Sequence, residues 1–259
     1  MTHTAPTTTP DRASSAAKTP LAGGLKIRFA EDRGMAHHGW LNSAHSFSFA
    51  NYFDREHMQF ETLRVINDDQ VKAGAGFPEH PHKDAEIFSY VLEGALQHRD
   101  SMGNGSVVSA GGVQYMSAGS GVRHSEFNPS SSAHVRFLQI WLLPNKKGGT
   151  PRYDTLDISD EEKDGQLKLF LSKDGRDGSM QINADADIYA ATLDGAQTLS
   201  TRLIQGHKAW VQVAKGAVTI NGQALRKGDG LSISLPGRIE FSEGVDAEFI
   251  YFDLAAHRS

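Results

Sequence analysis

Over residues 25–143 the chain never sustains the three-to-four-residue apolar period of a long helix. Its apolar residues come instead in short runs, each closed by a glycine or a polar turn. Leu25-Lys26-Ile27-Arg28-Phe29 alternates residue by residue, and Phe47-Ser48-Phe49 and Leu63-Arg64-Val65-Ile66 follow, divided by polar turns such as Asn67-Asp68-Asp69. Residues 87–92 and 137–143 are rich in β-branched and aromatic side chains and too short for ordinary helices, so both read as buried strands. The first turns at Glu93-Gly94 and the second is stopped by Pro144. Gly103-Asn104-Gly105 and Asn221-Gly222 are hairpin signals. Many short strands with glycine-rich turns predict an all-β chain built as a barrel or a double-sheet jelly roll.

The second half repeats the first. Laying Gly216 on Gly94 without gaps places Trp210-Val211-Gln212-Val213-Ala214-Lys215 on Phe88-Ser89-Tyr90-Val91-Leu92-Glu93, which predicts two copies of one architecture. With 259 residues there is chain enough for both. Residues 1–24, mostly Thr, Ala, Ser and Pro, bury too little to order themselves and are expected to be a disordered tail. Residues 25–145 then form the first barrel, and residues 146–259 a linker and the second. The acidic cluster Asp160-Glu161-Glu162 in that linker leaves room for one short helix.

Two ligand pairs stand out in the first copy. His80 and His82 flank Pro81, and residues two apart on a strand project to the same side. Pro81 lacks a ladder donor, which suggests a sheet edge or barrel rim. His124-Ser125-Glu126 has the same spacing, after the turn Ala118-Gly119-Ser120-Gly121. Two strands aimed at one point can make a metal site of three histidines and one carboxylate. In the second copy Arg202 and Ile204 replace the first histidine pair and Phe241 falls near the place of His124, so one metal is expected, in the first half alone. Imidazole suits Fe, Zn, Cu and Ni, while a hard carboxylate shifts the balance towards Fe(II) or Mn(II). Four ligands on a six-coordinate ion leave two positions for reactants, while the same three histidines and glutamate could also close a tetrahedral structural zinc site.

Glu86 is read as a group that fixes an imidazole tautomer from behind, with a fifth ligand or a salt-bridged strand residue as the other possibilities. His37, His38 and His45 read as packing or pocket-rim residues, His98 as part of a solvated hairpin with Arg99 and Asp100, and Asp84 as a surface or supporting residue. His134, His207 and His257 have no partner at ligand spacing. A net charge of −5 without a basic cluster argues against direct nucleic-acid binding. The absence of cysteine excludes disulfides and thiolate metal sites. With no apolar run of membrane-spanning length and no apolar signal core, the expectation is a soluble, cytoplasmic protein with no membrane partner, by default a monomer.

These motifs together resemble the pirin family of the cupin superfamily, in particular bacterial members described as quercetin 2,3-dioxygenases. The resemblance rests on His37-His38-Gly39-Trp40-Leu41, Phe47-Ser48-Phe49-Ala50-Asn51-Tyr52, Leu63-Arg64-Val65-Ile66-Asn67-Asp68-Asp69, His80-Pro81-His82-Lys83-Asp84, Asp100-Ser101-Met102-Gly103-Asn104 and His124-Ser125-Glu126-Phe127-Asn128-Pro129. Two cupin signatures are visible in outline, with one residue more than usual before Gly94 and Gly119 in place of a proline. The resemblance implies a bicupin, two jelly-roll-like β-barrels facing each other with few short helices. It carries the ligand roles onto His80, His82, His124 and Glu126, since pirins use the glutamate after the second-motif histidine where ordinary cupins use one from the first motif. It also implies one divalent ion per chain, Fe(II) ahead of Mn, Zn, Ni, Co and Cu, and O2-dependent opening of a flavonol ring with loss of CO, with Glu126 as the base. Trp40, Phe53, Phe77 and Met116 are read either as the apolar pocket rim or as core. The alternative the family offers is a non-catalytic iron protein that regulates a protein partner through its redox state, and a third reading makes the metal a structural staple.

Overall fold

The computed structural model describes residues 24–256, and nearly all of its regular structure is β. All of the expected tail except Gly24 lies outside the described residues, as does His257. The first half packs a seven-stranded sheet against a four-stranded one. The larger sheet runs in the order Arg152–Asp157, Gly112–Ser117, Glu86–Glu93, Val135–Leu142, Leu63–Val71, Leu41–His45, Gly34–His37. The smaller runs Gly76–His82, Val122–Phe127, Ala95–Asp100, Gly105–Ser109.

The second half is a nine-stranded sheet dominated by two long strands, His207–Ile220 and Gly237–Ala255. Three register shifts between them bend the sheet around an apolar core that includes Val211, Val213, Leu231, Phe241 and Phe249. The linker carries the one short α-helix among the described residues, Asp160–Lys163, started by a capping box between Ser159 and Glu162. No described helix is long and apolar enough to cross a membrane.

The halves exchange edge strands. Leu25–Arg28 pairs with Gly230–Ile233 in the second half, and Arg152–Asp157 pairs with Gly112–Ser117 in the first. Each exchanged strand covers a row of backbone donors and acceptors that would otherwise form an open edge. The alternation of residues 25–29 identifies a strand and says nothing about which edge it will cover.

The seven-stranded sheet is the shared wall, and its alternation sorts two chemistries. Phe88, Tyr90, Tyr115, Leu138 and Ile140 face the second half and join Phe170, Ile188, Trp210, Ile250 and Phe252 in one core. Phe88 meets Phe170 with ring centroids 5.7 Å apart, and Phe47 meets Trp210 at 4.9 Å. Several residues pointing the other way, towards the four-stranded sheet, are polar. Gln114, Ser89, Gln139, Asn67 and His45 are consecutive cross-strand partners, one from each of five adjacent strands.

This polar face corrects two expectations. Asn67-Asp68-Asp69 is no turn: it continues the strand Leu63–Val71, with Asn67 and Asp69 buried inside the first half and Asp68 paired to Arg136 at 2.8 Å. Phe47-Ser48-Phe49 makes only a single bridge, from Phe49 to Tyr52, while the backbone N–H groups of Ser46 and Ser48 donate to the Ile66 and His57 carbonyls.

Candidate metal centre

Strand register assembles the site. In the four-stranded sheet His124 lies opposite His80 on one side and opposite Asp100 on the other, while Glu126 lies opposite His98. Directly opposed residues share a face, and so do residues two apart. His80, His82, His124, Glu126, His98 and Asp100 therefore stand on one face of three neighbouring strands. That face looks into the first half, towards Ser89, Gln114 and Gln139.

The three imidazoles converge. Their centroids are 4.7 Å (His80–His82), 4.5 Å (His80–His124) and 4.8 Å (His82–His124) apart. One ligand atom from each lies within 4.8 Å of the other two. His80 Nδ1 donates to the Pro78 carbonyl at 2.8 Å, and a carbonyl only accepts, so the His80 lone pair is on Nε2. That atom is 3.1 Å from His124 Nε2. The span is what two nitrogens sharing an ion show at bonds of about 2.1 Å roughly at right angles. Burial, followed by repulsion from the neighbouring imidazoles, lowers His82 and His124 to about 3. Both stay neutral at ordinary pH and keep a lone pair to give, so the donor set fits a divalent ion.

Glu126 is buried on the same wall, but its carboxylate is outside that group of mutually close ligand atoms and is held by the opposite sheet. Oε1 accepts from Ser89 Oγ at 3.1 Å and from Gln114 Nε2, and Oε2 accepts from Gln139 Nε2 at 2.7 Å. Burial raises its carboxyl above the usual range, against the opposing pull of His98, Gln139 and Ser89.

Glu86 is not behind the metal. It faces the interface between the halves, where it accepts from Tyr115 Oη, Ser117 Oγ at 2.7 Å and Asn183 N at 3.1 Å. Asp84 instead accepts from Gly148 N at 2.7 Å in the loop beyond the site. His98 is the larger correction, since it is 1% exposed and lies against His124 instead of in solvent. Its motif with Asp100 repeats the two-residue spacing of the ligand pairs, which was the available signal. His45 is buried in the polar row, bonded to Asn67 at 2.7 Å.

A cleft of about 430 Å³ opens beside His82, lined by Pro81, Lys83, Ser101, Val122 and Arg123. Behind His82 stands Trp141, edge-on at 4.9 Å, with a buried indole N–H that has no hydrogen-bond partner. None of the four residues read as rim or core lines that cleft. Trp40 and Phe77 pack on each other at 5.1 Å, Met116 is buried with Ile87 and Val122, and Phe53 is 73% exposed.

At the matching place in the second half Phe241 stacks on Phe249, with centroids 4.8 Å apart. Among the described residues no other group of three or more potential ligands comes together.

Residues 28–142 match the family model described as Pirin, and residues 169–254 match the one described as Quercetinase C-terminal cupin domain. A quercetin 2,3-dioxygenase of Escherichia coli (strain K12) is 47% identical over 230 residues, covering 89% of this chain and 98% of that one. The chain belongs to the pirin family. Another similar protein, a pirin-like protein of Caulobacter vibrioides, is 38% identical over 86% of this chain and 96% of its own. Among solved structures, the bacterial pirin YhhW from Escherichia coli in complex with nickel(II) superposes with a TM-score of 0.85 at 45% identity, covering 89% of this chain and 99% of that one. The two-domain pirin architecture, with a polar first half and an apolar second, is thus the frame in which the three histidines sit.

Proposed function

We propose that this pirin is a metal-dependent dioxygenase of the quercetin 2,3-dioxygenase type, which opens the ring of a flavonol-like substrate with O2 and releases CO. The observation that carries the reading is the convergence of three imidazoles beside a buried carboxylate, in one half only among the described residues, in a chain whose similar relatives bear that name. His80, His82 and His124 would hold the ion, with Glu126 as fourth ligand. Iron(II) is the first candidate, and nickel(II) is the ion in YhhW. When bound, the ion supplies Lewis acidity and open positions for the two reactants.

The chain's own residues bind the substrate and move its proton. Glu126 accepts the proton of the flavonol 3-hydroxyl at a carboxylate oxygen, and burial, by raising its pKa, makes it a better acceptor. Ser89, Gln114 and Gln139 keep that carboxylate aimed across the interior. The cleft beside His82, with Lys83 at its edge and Arg123 paired to Glu79 at 2.7 Å, would admit the substrate. Residues 25–145 act as the metal-binding unit, completed by the strand Arg152–Asp157, and the second half supports it as a unit without a metal.

The test is turnover. Protein loaded anaerobically with Fe(II), and in parallel with Ni(II), is given quercetin and O2. Consumption of one O2 per flavonol with release of one CO is expected. Stoichiometric metal without turnover would refute the enzyme reading, and a partner retained differently by the Fe(II) and Fe(III) forms would replace it with the regulatory one. Glu126→Gln should lower kcat by about 100-fold or more, the usual scale for losing a general base.

A further inference from the structure

A ligand imidazole that gives Nε2 to an ion must carry its proton on Nδ1. If that Nδ1–H is buried, it needs an acceptor, because a buried donor left unpaired has given up its hydrogen bonds to water without replacement. His124 is 2% exposed, and its Nδ1 lies 3.4 Å from Nδ1 of His98. His98 can accept there only if its own proton is on Nε2. Its Nε2 faces Asp100 Oδ2 at 3.2 Å, and a carboxylate only accepts.

Asp100 is itself fixed. Oδ1 takes the backbone N–H of Met102 at 2.9 Å and of Asn104 at 3.0 Å, and Oδ2 takes Asn104 Nδ2 at 2.9 Å. The His98 ring cannot easily turn, since it stacks on Tyr153 with centroids 4.0 Å apart and planes 10° apart.

We infer that Asp100 and His98 form a two-step positioning relay that sets the tautomer of His124, so that its Nε2 lone pair is presented to the ion. The direction of every donor follows from the turn at one end. Asp100 accepts from His98 Nε2–H, and His98 Nδ1 accepts from His124 Nδ1–H. This inference rests on the assignment of His124 as a ligand. His98 and Asp100 touch neither ion nor substrate and act only through His124.

Metal affinity separates this role from mere packing. His98→Leu removes the acceptor and keeps the bulk, and should weaken Ni(II) binding, read by competition with a chromophoric chelator, by about 10–100-fold. His98→Asn, whose Oδ1 takes the place of Nδ1 as acceptor, should return most of that loss. Thermal unfolding without metal checks that both variants fold. A folded His98→Leu with wild-type affinity, or a His98→Asn as weak as His98→Leu, would overturn the inference. A second measurement avoids mutation: in the Zn(II)-loaded wild type, multiple-bond 1H–15N spectra should show His98 as the neutral Nε2–H tautomer. Finding its proton on Nδ1 would also overturn it. If Ni(II) affinity is unchanged in His124→Ala, the ligand assignment fails instead, which distinguishes the two.

Discussion

Asp69 shows what the polar interior demands of single residues. Its carboxyl is buried, accepts from Ser43 Oγ, and is raised to about 7 by burial, with Asp68 and Glu126 adding repulsion. A carboxyl raised in the folded state contributes stability that is present below pH 4 and lost as the pH climbs through 7. Asp69→Asn never ionises, so it should unfold like the wild type near pH 4 and gain on it by about 2 kcal/mol or more at pH 8, measured by denaturant titration. The ligand histidines have the opposite sign. His82 and His124 fall to about 3 on folding, so metal-free protein should lose stability as the pH drops from about 6.5 towards 3. Thermal unfolding of metal-free Asp69→Asn, which lacks the opposing carboxyl contribution, checks it across that range, and a Tm that did not fall would contradict the neutral, buried imidazoles.

The strand Gly76–His82 delivers two of the ligands, and its placement depends on how closely it approaches Val122–Phe127. The register shifts between His124 and Glu126, and a Cβ on Gly76 would overlap the Glu126 carbonyl and the Phe127 Cα. Gly76→Ala must therefore part the two strands. It should cost about 1–3 kcal/mol in stability and weaken metal binding as well, read by unfolding and by chelator competition. At this scale much of the architecture is legible in the sequence. The hairpin at Asn221-Gly222 has both residues at positive φ, 48° and 76°, as its residue types require. Strands that bury both faces are equally plain, as in Phe137 to Leu142. Three things are not legible, each for a physical reason. Asn67 and Asp69 look like a turn because the interior they face is polar. The side taken by Glu86 cannot be counted from His82, because Asp84, at a φ of 50°, sits between their strands and breaks the alternation. The partner of residues 25–28 is more than two hundred residues away, beyond any local pattern.

Across the whole molecule the shared wall joins a polar, ligand-bearing half to an apolar one. At the interface between that wall and the second half, the buried Glu248 is paired. Burial alone would raise Glu248, but Lys163 and Lys215, each at 2.8 Å, and Tyr90 Oη at 2.6 Å hold its carboxyl below the usual range. Glu248→Ala leaves Lys163 buried without that partner and should destabilise the protein by about 3 kcal/mol or more in denaturant, with the metal site unchanged. Phe170→Ala opens the apolar part of the same interface and should cost about 3–5 kcal/mol. The division of labour between the halves is tested most directly by counting metal in the intact chain. Elemental analysis after anaerobic loading and desalting should find one divalent ion per chain in the wild type and nearly none in His82→Ala or His124→Ala. A second ion per chain, or a full ion retained by either variant, would contradict the account.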